Sequence, residues 1–272
     1  MMLDAPRMGA QVAAQSVIEE LFRHQAVTPD RTAFARLFGY SPLGPDSASW
    51  YVGAKGEIEV GRLLAMLPPE WTVFHALPIG TKGSDIDHLV IGPGGIVTIN
   101  TKNHSGKRIW VGERIVMVSG QKQPYIRNAE YEADRVTSLL RQRMPQLPAV
   151  NPAIALVSPK SVTVKQHPVR VKVLVATGLR RWLVKLPVVL NPTELVELAA
   201  IIDDPSTWPP PPVPPTENLM GRFATLDRQV RSARVRRTGW KVAAFVGILG
   251  GFVLVGPQVS AALLDMMTSG LR

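Results

Sequence analysis

Apolar and polar residues alternate along the segment 84–102, and this alternation predicts two short antiparallel strands. The Gly/Pro run at 92–95 predicts a tight turn between them. Side chains two residues apart share one face of a strand. Pairing Ile91 with Ile96 across the turn therefore fixes which polar side chains face each other further along the hairpin.

Polar side chains converge at the open end of this predicted hairpin. In that register Asp87 lies opposite Asn100, and Asp85 lies opposite Lys102. The Cβ atoms of directly paired residues are about 5 Å apart. An acid, an amide and a lysine thus meet on one patch. A surface hairpin has no need of that arrangement, whereas a metal-assisted phosphodiester site does.

A helix is predicted over residues 52–67, because Val60 and Leu64 recur at helical spacing and Pro68 ends the run. Glu57 lies three residues before Val60, on the same apolar face. A carboxylate in that position is costly unless it has a partner. The alternative is that Glu57 lies near enough to the helix start to stay in water and favour the dipole.

The remaining pattern predicts alternating strands and helices. The runs 153–157 and 171–176 are apolar almost throughout, which is typical of strands buried on both faces. The other predicted elements are strands at 72–79, 108–111 and 114–118, helices at 125–143 and 192–202, and weaker helices at 8–24 and 30–39. Together they predict an α/β fold with one mixed central sheet flanked by helices.

Composition divides the chain into segments. Residues 1–49 are an accessory helical segment, and 50–206 form the main domain. A proline-rich stretch over 207–221 predicts an extended polyproline linker. A basic segment, 222–241, then precedes an apolar segment, 242–264.

The segment 242–264 has no charged residue and predicts a C-terminal transmembrane helix. A helix of that length spans about 35 Å, against a hydrocarbon core of roughly 30 Å. Gly256 and Pro257 weaken its second half, so a buried helical hairpin or a helix that forms a homo-oligomer is the alternative.

The basic segment sets the expected orientation. Positive charge before the span keeps the main domain in the cytoplasm, so the prediction is a membrane protein with a single-pass C-terminal anchor. Anionic membrane lipid is the expected partner of this segment. The residues expected at the membrane interface are Arg234, Arg236, Arg237, Trp240 and Lys241.

The composition excludes some kinds of site and indicates the charge of the expected partner. The absence of cysteine excludes disulfides, thiol nucleophiles and cysteine–zinc sites. The net charge is +10: residues 1–49 carry −1, residues 50–206 carry +6 and residues 207–272 carry +5. A basic domain favours a polyanionic partner such as DNA, although such charge also serves solubility alone.

The motif order resembles a known family. The motifs are Gly53-Ala54-Lys55-Gly56-Glu57, the run from Asp85 to Pro93, and Thr101-Lys102-Asn103-His104-Ser105-Gly106. This order is similar to that of the nuclease-related domain, NERD, over roughly residues 50–165, and that family is similar to the restriction-endonuclease-like PD-(D/E)xK superfamily. The resemblance implies a restriction-endonuclease-like mixed sheet flanked by helices and a magnesium-dependent, DNA-cleaving ancestry.

The resemblance also implies site residues. Glu57 matches the helix acid, Asp87 the hairpin aspartate, and Asn100 with Lys102 the (D/E)xK pair. Glu57, Asp87 and Asn100 are the expected ligands of Mg²⁺ or Mn²⁺, and Lys102 is expected to position water or stabilise the transition state.

Flanking residues complete the predicted site. Asp85 is a spare carboxylate on the same face, and His104 is a second accessory candidate. Lys107, Arg108 and Arg127 are the candidates for contacts with nucleic acid, surface capping being the commoner role of a residue placed like Arg127.

One departure from the family pattern, at Asn100, leaves two functions open. The superfamily usually has a carboxylate where this chain has Asn100, and an amide supplies an oxygen ligand without negative charge. The favoured prediction is a membrane-anchored, metal-dependent deoxyribonuclease. The alternative is a catalytically impaired nuclease fold that binds nucleic acid or a partner at the membrane.

Overall fold

The computed structural model describes residues 7–80, 84–210 and 218–269, with side chains described through residue 248. The chain forms two compact units. The large unit comprises residues 1–23 and 46–219, and the small unit comprises residues 24–45 and 220–272.

The predicted helices and strands of the large unit occur in the predicted order. The described residues also form a helix at Leu179–Leu183 and strands at Gln121–Gln123 and Ser161–Val164, which were not predicted. The helices are α1 Gln15–Ala26, α2 Ala33–Leu37, α3 Ser47–Leu64, α4 Tyr125–Arg141, α5 Leu179–Leu183, α6 Pro192–Asp203 and α7 Leu219–Ser269. The strands are β1 Thr72–Pro78, β2 Asp85–Gly92, β3 Gly95–Asn103, β4 Arg108–Val111, β5 Val116–Val118, β6 Gln121–Gln123, β7 Asn151–Val157, β8 Ser161–Val164 and β9 Lys172–Val175. Single-turn 3₁₀ helices occupy Met8–Ala10, Ala176–Gly178 and Pro205–Thr207.

The strands form two mixed sheets, so the prediction of one sheet is wrong. The first sheet has the order β1-β2-β3-β7-β9, and the second has the order β6-β5-β4-β8. The chain leaves the first sheet after Asn103, in a turn where Gly106 adopts a φ of +74°. The strand β4 therefore pairs with β8, in parallel, rather than with β3.

The predicted hairpin register is confirmed. Ile91 pairs with Ile96, and Gly92 with Gly95. The turn needs glycine at both ends: Gly95 has a φ of +101°, and a Cβ on Gly92 would lie 2.3 Å from the Trp71 ring. The hydrogen-bonded ladder then ends at His88 and Ile99, before the polar residues are reached.

The two apolar strands predicted after residue 150 differ in burial. Strand β7 is buried from Pro152 to Val157 and pairs with β3 and β9, as the prediction of burial on both faces requires. Strand β9 is the edge strand of its sheet and is partly exposed along its length, so the same prediction is wrong for 171–176.

The packed core of the large unit extends beyond residue 206. Trp208 is buried against residues of β1, β2 and α6, and its indole N–H donates to the carbonyl of Ile202 over 2.8 Å. The expected linker therefore starts with a core residue. Its proline run from residue 211 lies outside the described residues.

The small unit contains α2 and most of α7. The indole N–H of Trp240 donates to the carbonyl of Leu37 over 2.9 Å, and its ring centroid lies 4.8 Å from that of Phe38. Arg236 donates to the carbonyl of Arg36 over 3.0 Å. Two residues expected at a membrane interface, Arg236 and Trp240, are thus bonded to the backbone at the C-terminal end of α2.

The basic segment and the apolar segment belong to one continuous helix, α7. Among the residues that the structure describes, no helix is long and apolar enough to cross a membrane. The side chains of 249–264, most of the predicted span, lie outside the described residues. The predicted transmembrane helix is therefore without support in the described part of the chain.

Candidate active site

Close packing of α3 on β3 positions Glu57. A Cβ on Gly56 would lie 2.8 Å from the Cβ of Asn103, so only glycine lets the helix approach this strand so closely. The Asn103 side chain donates to the carbonyl of Val52 over 2.8 Å and ties the two elements together. Glu57 is consequently 5% exposed, on the buried face that the sequence predicted.

Asp87 bonds the backbone of the neighbouring strand. The N–H of Thr101 donates to Oδ2 of Asp87 over 2.6 Å, just beyond the end of the β2–β3 ladder. Continuing the register by one pair beyond His88 and Ile99 sets Asp87 opposite Asn100, as predicted. The carboxylate of Asp87, however, accepts its hydrogen bond from Thr101, the residue after Asn100. A side chain thus takes the role of a ladder hydrogen bond at the open end of the hairpin.

Asn100 contacts a carboxylate that the sequence analysis missed. Its side-chain nitrogen donates to both oxygens of Glu132, over 2.9 and 2.8 Å. Glu132 lies on α4, three residues after the buried Ala129 and four before the buried Val136. That spacing is the same signal that identified Glu57 on its helix, namely an acid on the apolar face.

The other end of the Asn100 amide has no partner. Asn100 is 9% exposed, and its Oδ1 accepts no hydrogen bond from any described residue. Buried polar atoms are rarely left unbonded, so such an oxygen is a candidate for a ligand. The Oγ1 atom of the adjacent Thr101 is also buried and unbonded among the described residues.

Four carboxylates share this region, and all have raised pKa values. Burial raises the pKa of Glu57 well above its usual value, and Asp87 and Asp85 raise it further. Burial and the nearby Asp87 raise the pKa of Asp85 to about 7. Burial is also the main cause that raises the pKa of Glu132 to about 7 and the pKa of Asp87. The cluster holds more negative charge than its surroundings neutralise.

Lys102 is the cation that lowers the pKa of these four acids in common. Its Nζ lies 5.3 Å from the ring centroid of Tyr125, the first residue of α4. The Tyr125 hydroxyl lies 3.0 Å from Nε2 of His104. Tyr125, which was not predicted, therefore joins Lys102 and the accessory candidate His104 in one group.

The chemistry of the donors fits a hard divalent cation. Carboxylate and amide oxygens are the ligands that Mg²⁺ and Mn²⁺ prefer, and a cation would offset the repulsion among the acids. Across the described residues, no three His, Cys, Asp or Glu side chains are grouped closely enough to hold a metal ion by themselves. The fit therefore rests on charge, donor type and the unbonded Oδ1 of Asn100.

The predicted nucleic-acid contacts lie at the surface. Lys107 follows the turn after β3, Arg108 begins β4, and Arg127 lies in the first turn of α4. All three are exposed. Their positions leave them accessible to a large polyanion, and contact with DNA stays a prediction.

Replacing Glu57 with glutamine tests the electrostatic cost of the cluster. A raised pKa means that the folded state favours the protonated acid, so this contribution to stability is complete below about pH 4 and is lost as the pH rises. In a chelating buffer we expect Glu57→Gln to raise the free energy of unfolding by about 1–3 kcal/mol at pH 8. The gain should shrink at pH 5.

Urea titration at the two pH values measures this effect. Glu59→Gln, on the same helix but outside the cluster, is the matched control. It should change the free energy of unfolding by the same amount at both pH values. A gain for Glu57→Gln that does not change with pH would contradict the assignment of buried, mutually repelling acids.

One comparison with known proteins matches the part of the chain that carries this site. The family model of the nuclease-related domain, NERD, matches residues 52–162. No curated protein and no solved structure gives a significant match. The matched range begins within α3, ends within β8 and contains Glu57, Asp87, Asn100, Lys102 and Glu132. Residues 52–162 are therefore similar to the nuclease-related domain, and all five of these residues lie within that match.

Proposed function

We propose that this protein hydrolyses phosphodiester bonds in DNA with the help of a divalent metal ion. The observation that carries the proposal is a cluster of one buried and three partly buried acids with one lysine and an unbonded amide oxygen. The cluster lies in the part of the chain that matches the nuclease-related domain, residues 52–162. Such clusters of acids with raised pKa values are typical of functional sites.

Mg²⁺ or Mn²⁺ is the proposed cofactor. Its proposed ligands are Asp87, Glu57, Oδ1 of Asn100 and Glu132. When bound, such an ion neutralises charge on the phosphate and makes a water molecule more acidic. Lys102 adds a positive charge beside the acids, where it would stabilise the negative charge that develops on the phosphate.

Glu132 supplies, in this proposal, the carboxylate that Asn100 lacks. The amide nitrogen of Asn100 holds both oxygens of Glu132, and its own oxygen stays unbonded among the described residues. Asn100 is then a positioning residue as well as a ligand. Together the pair offers the negative charge and the oxygen that one carboxylate offers elsewhere in the superfamily.

DNA is the proposed substrate, with Lys107, Arg108 and Arg127 contacting its phosphates. Removing any of these exposed cations would weaken binding with little dependence on sequence, because phosphate contacts position the duplex without reading its bases.

Cleavage of plasmid DNA by the full chain tests the proposal. With Mg²⁺ or Mn²⁺ present, Asp87→Asn, Lys102→Met and Glu132→Gln should each lower the rate by about 100-fold or more, since each removes a charge from the site. Glu130→Gln, two residues away on α4, is the matched control for Glu132 and should cleave at close to the wild-type rate. Cleavage unchanged in Asp87→Asn and Lys102→Met would overturn the site.

A second candidate function is binding without cleavage, and the amide at Asn100 favours it. A catalytically impaired domain would bind DNA, or a partner, with an affinity that falls steeply with salt. It would not cleave DNA, whichever divalent ion is supplied.

Exchanging the members of the Asn100–Glu132 pair separates these functions. Asn100→Glu alone sets two carboxylates against each other, so we expect it to lower activity rather than raise it. Glu132→Gln alone removes the carboxylate. The double variant, Asn100→Glu with Glu132→Gln, restores one acid beside one amide.

The double variant should therefore recover at least about tenfold in rate over either single variant, a coupling that a double-mutant cycle measures. Activity that appears in Asn100→Glu alone, with an inactive wild type, would instead show that the natural chain is the impaired binding module.

We also propose that the segment 242–264 anchors the chain in a membrane with the main domain in the cytoplasm. The support is in the sequence: a charge-free run follows a segment rich in arginine. Arg234, Arg237 and Lys241 would then contact anionic lipid, and Arg236 and Trp240 would lie beside them. Association of copies through this helix is the alternative, homo-oligomeric form of the proposal.

Fractionation of cells that express a fluorescent fusion tests the anchor. The full chain should partition with membranes, and a chain ending at residue 239 should not. Trp240→Ala, which removes the contact with Phe38 but keeps 242–264, should stay with the membranes. Equal partitioning of the full and shortened chains would contradict the anchor.

A further inference from the structure

The small unit has a cavity of about 300 Å³ that is open to solvent and has a strongly positive lining. Six of its eight lining residues are exposed. Two arginines, Arg31 and Arg36, come from the segment 24–45, and two, Arg228 and Arg236, come from α7. None of the lining residues is acidic. The other lining residues are Thr225, Gln229, Ser232 and Ala233.

Uncharged acceptors hold three of the four guanidinium groups in place. Arg31 donates to the carbonyl of Tyr40 over 3.0 Å, and Arg236 donates to that of Arg36 over 3.0 Å. Arg228 donates to the Thr225 hydroxyl over 3.1 Å. Within the described part of the chain, none of these bonds is to a carboxylate. Three of the arginines are thus oriented by uncharged groups.

Like charges crowd one another in this cavity. Burial, and then the proximity of Arg36 and Arg236, lower the pKa of Arg31. The acid nearest in sequence to the α7 arginines, Asp227, forms an ion pair with Arg231, which does not line the cavity. Among the residues that the structure describes, no acid lines the cavity that these four cations share, and a bound anion would stabilise such an arrangement.

We propose that this cavity binds a multiply charged phosphate group. Arginine forks match phosphate oxygens two at a time, and the hydroxyl and amide groups of Thr225, Ser232 and Gln229 add neutral donors. The volume is at the lower limit for ligand pockets, which suits a compact diphosphate or phosphomonoester group. Its source is either a soluble phosphate compound or the headgroup of an anionic lipid. The proposal uses none of the nuclease residues.

Calorimetric titration of the full chain with pyrophosphate tests the site. We expect binding by the wild type, and a rise in Kd of about tenfold or more for the double variant Arg36→Gln, Arg228→Gln. The matched control is Arg180→Gln, Arg181→Gln, which removes the same charge from exposed positions of α5 that do not line the cavity. It should change Kd by less than about twofold, as expected of exposed charges away from the ligand.

Vesicles separate the two sources of phosphate. Binding of free pyrophosphate by the cavity arginines, with no added affinity for phosphatidic acid, assigns a soluble ligand. Stronger association with vesicles of phosphatidylcholine plus phosphatidic acid than with phosphatidylcholine alone, reversed by pyrophosphate and lost in the cavity variant, assigns a lipid headgroup.

Two results would overturn the proposal. One is equal weakening by the cavity and control variants, which would reduce the effect to the general positive charge of the protein. The other is the lack of any binding of pyrophosphate together with equal association to both kinds of vesicle. Thermal unfolding of both variants, matched to wild type, ensures that the losses are not due to misfolding.

Discussion

The contact between α3 and β3 at Gly56 is the constraint on which the candidate active site depends. No larger residue fits between the helix and Asn103, so the distance between the two elements is fixed by the absence of a side chain. This approach brings Glu57 close enough to Asp85 and Asp87 for their charges to raise its pKa. A wider spacing would leave room for water, which would screen the acids and end their coupling.

The Asn100–Glu132 pair joins an amide on one element to an acid on another. The strand β3 provides the amide, and the facing helix α4 provides the acid. The two hydrogen bonds join β3 to α4 at the level of the site. The same contact therefore holds α4 on the sheet and orients the residues of the candidate site. In buried polar networks, exchanging two partners costs less stability than removing one of them.

Patterns of neighbouring residues predicted the features that depend on residues close together in the chain. Alternation gave the β2–β3 register, and helical spacing placed Glu57 on a buried face. The second sheet, the contact of Glu132 with Asn100 and the bonds of Trp240 to α2 were not predicted, because each joins residues far apart in the chain. Glu132 carried the same signal as Glu57, but only the packing of α4 on the sheet shows which strand residue it meets.

The bond from the Thr101 N–H to Asp87 has a mechanical consequence. The carboxylate accepts the hydrogen bond that follows the last backbone pair between β2 and β3. A change in its charge therefore changes the strength of the hydrogen bond between the two strand ends. Occupation of the site and fraying of the sheet are thereby linked through one backbone amide. The exchange rate of that amide hydrogen is a built-in reporter of the state of the site, independent of whether any bond in a substrate is broken.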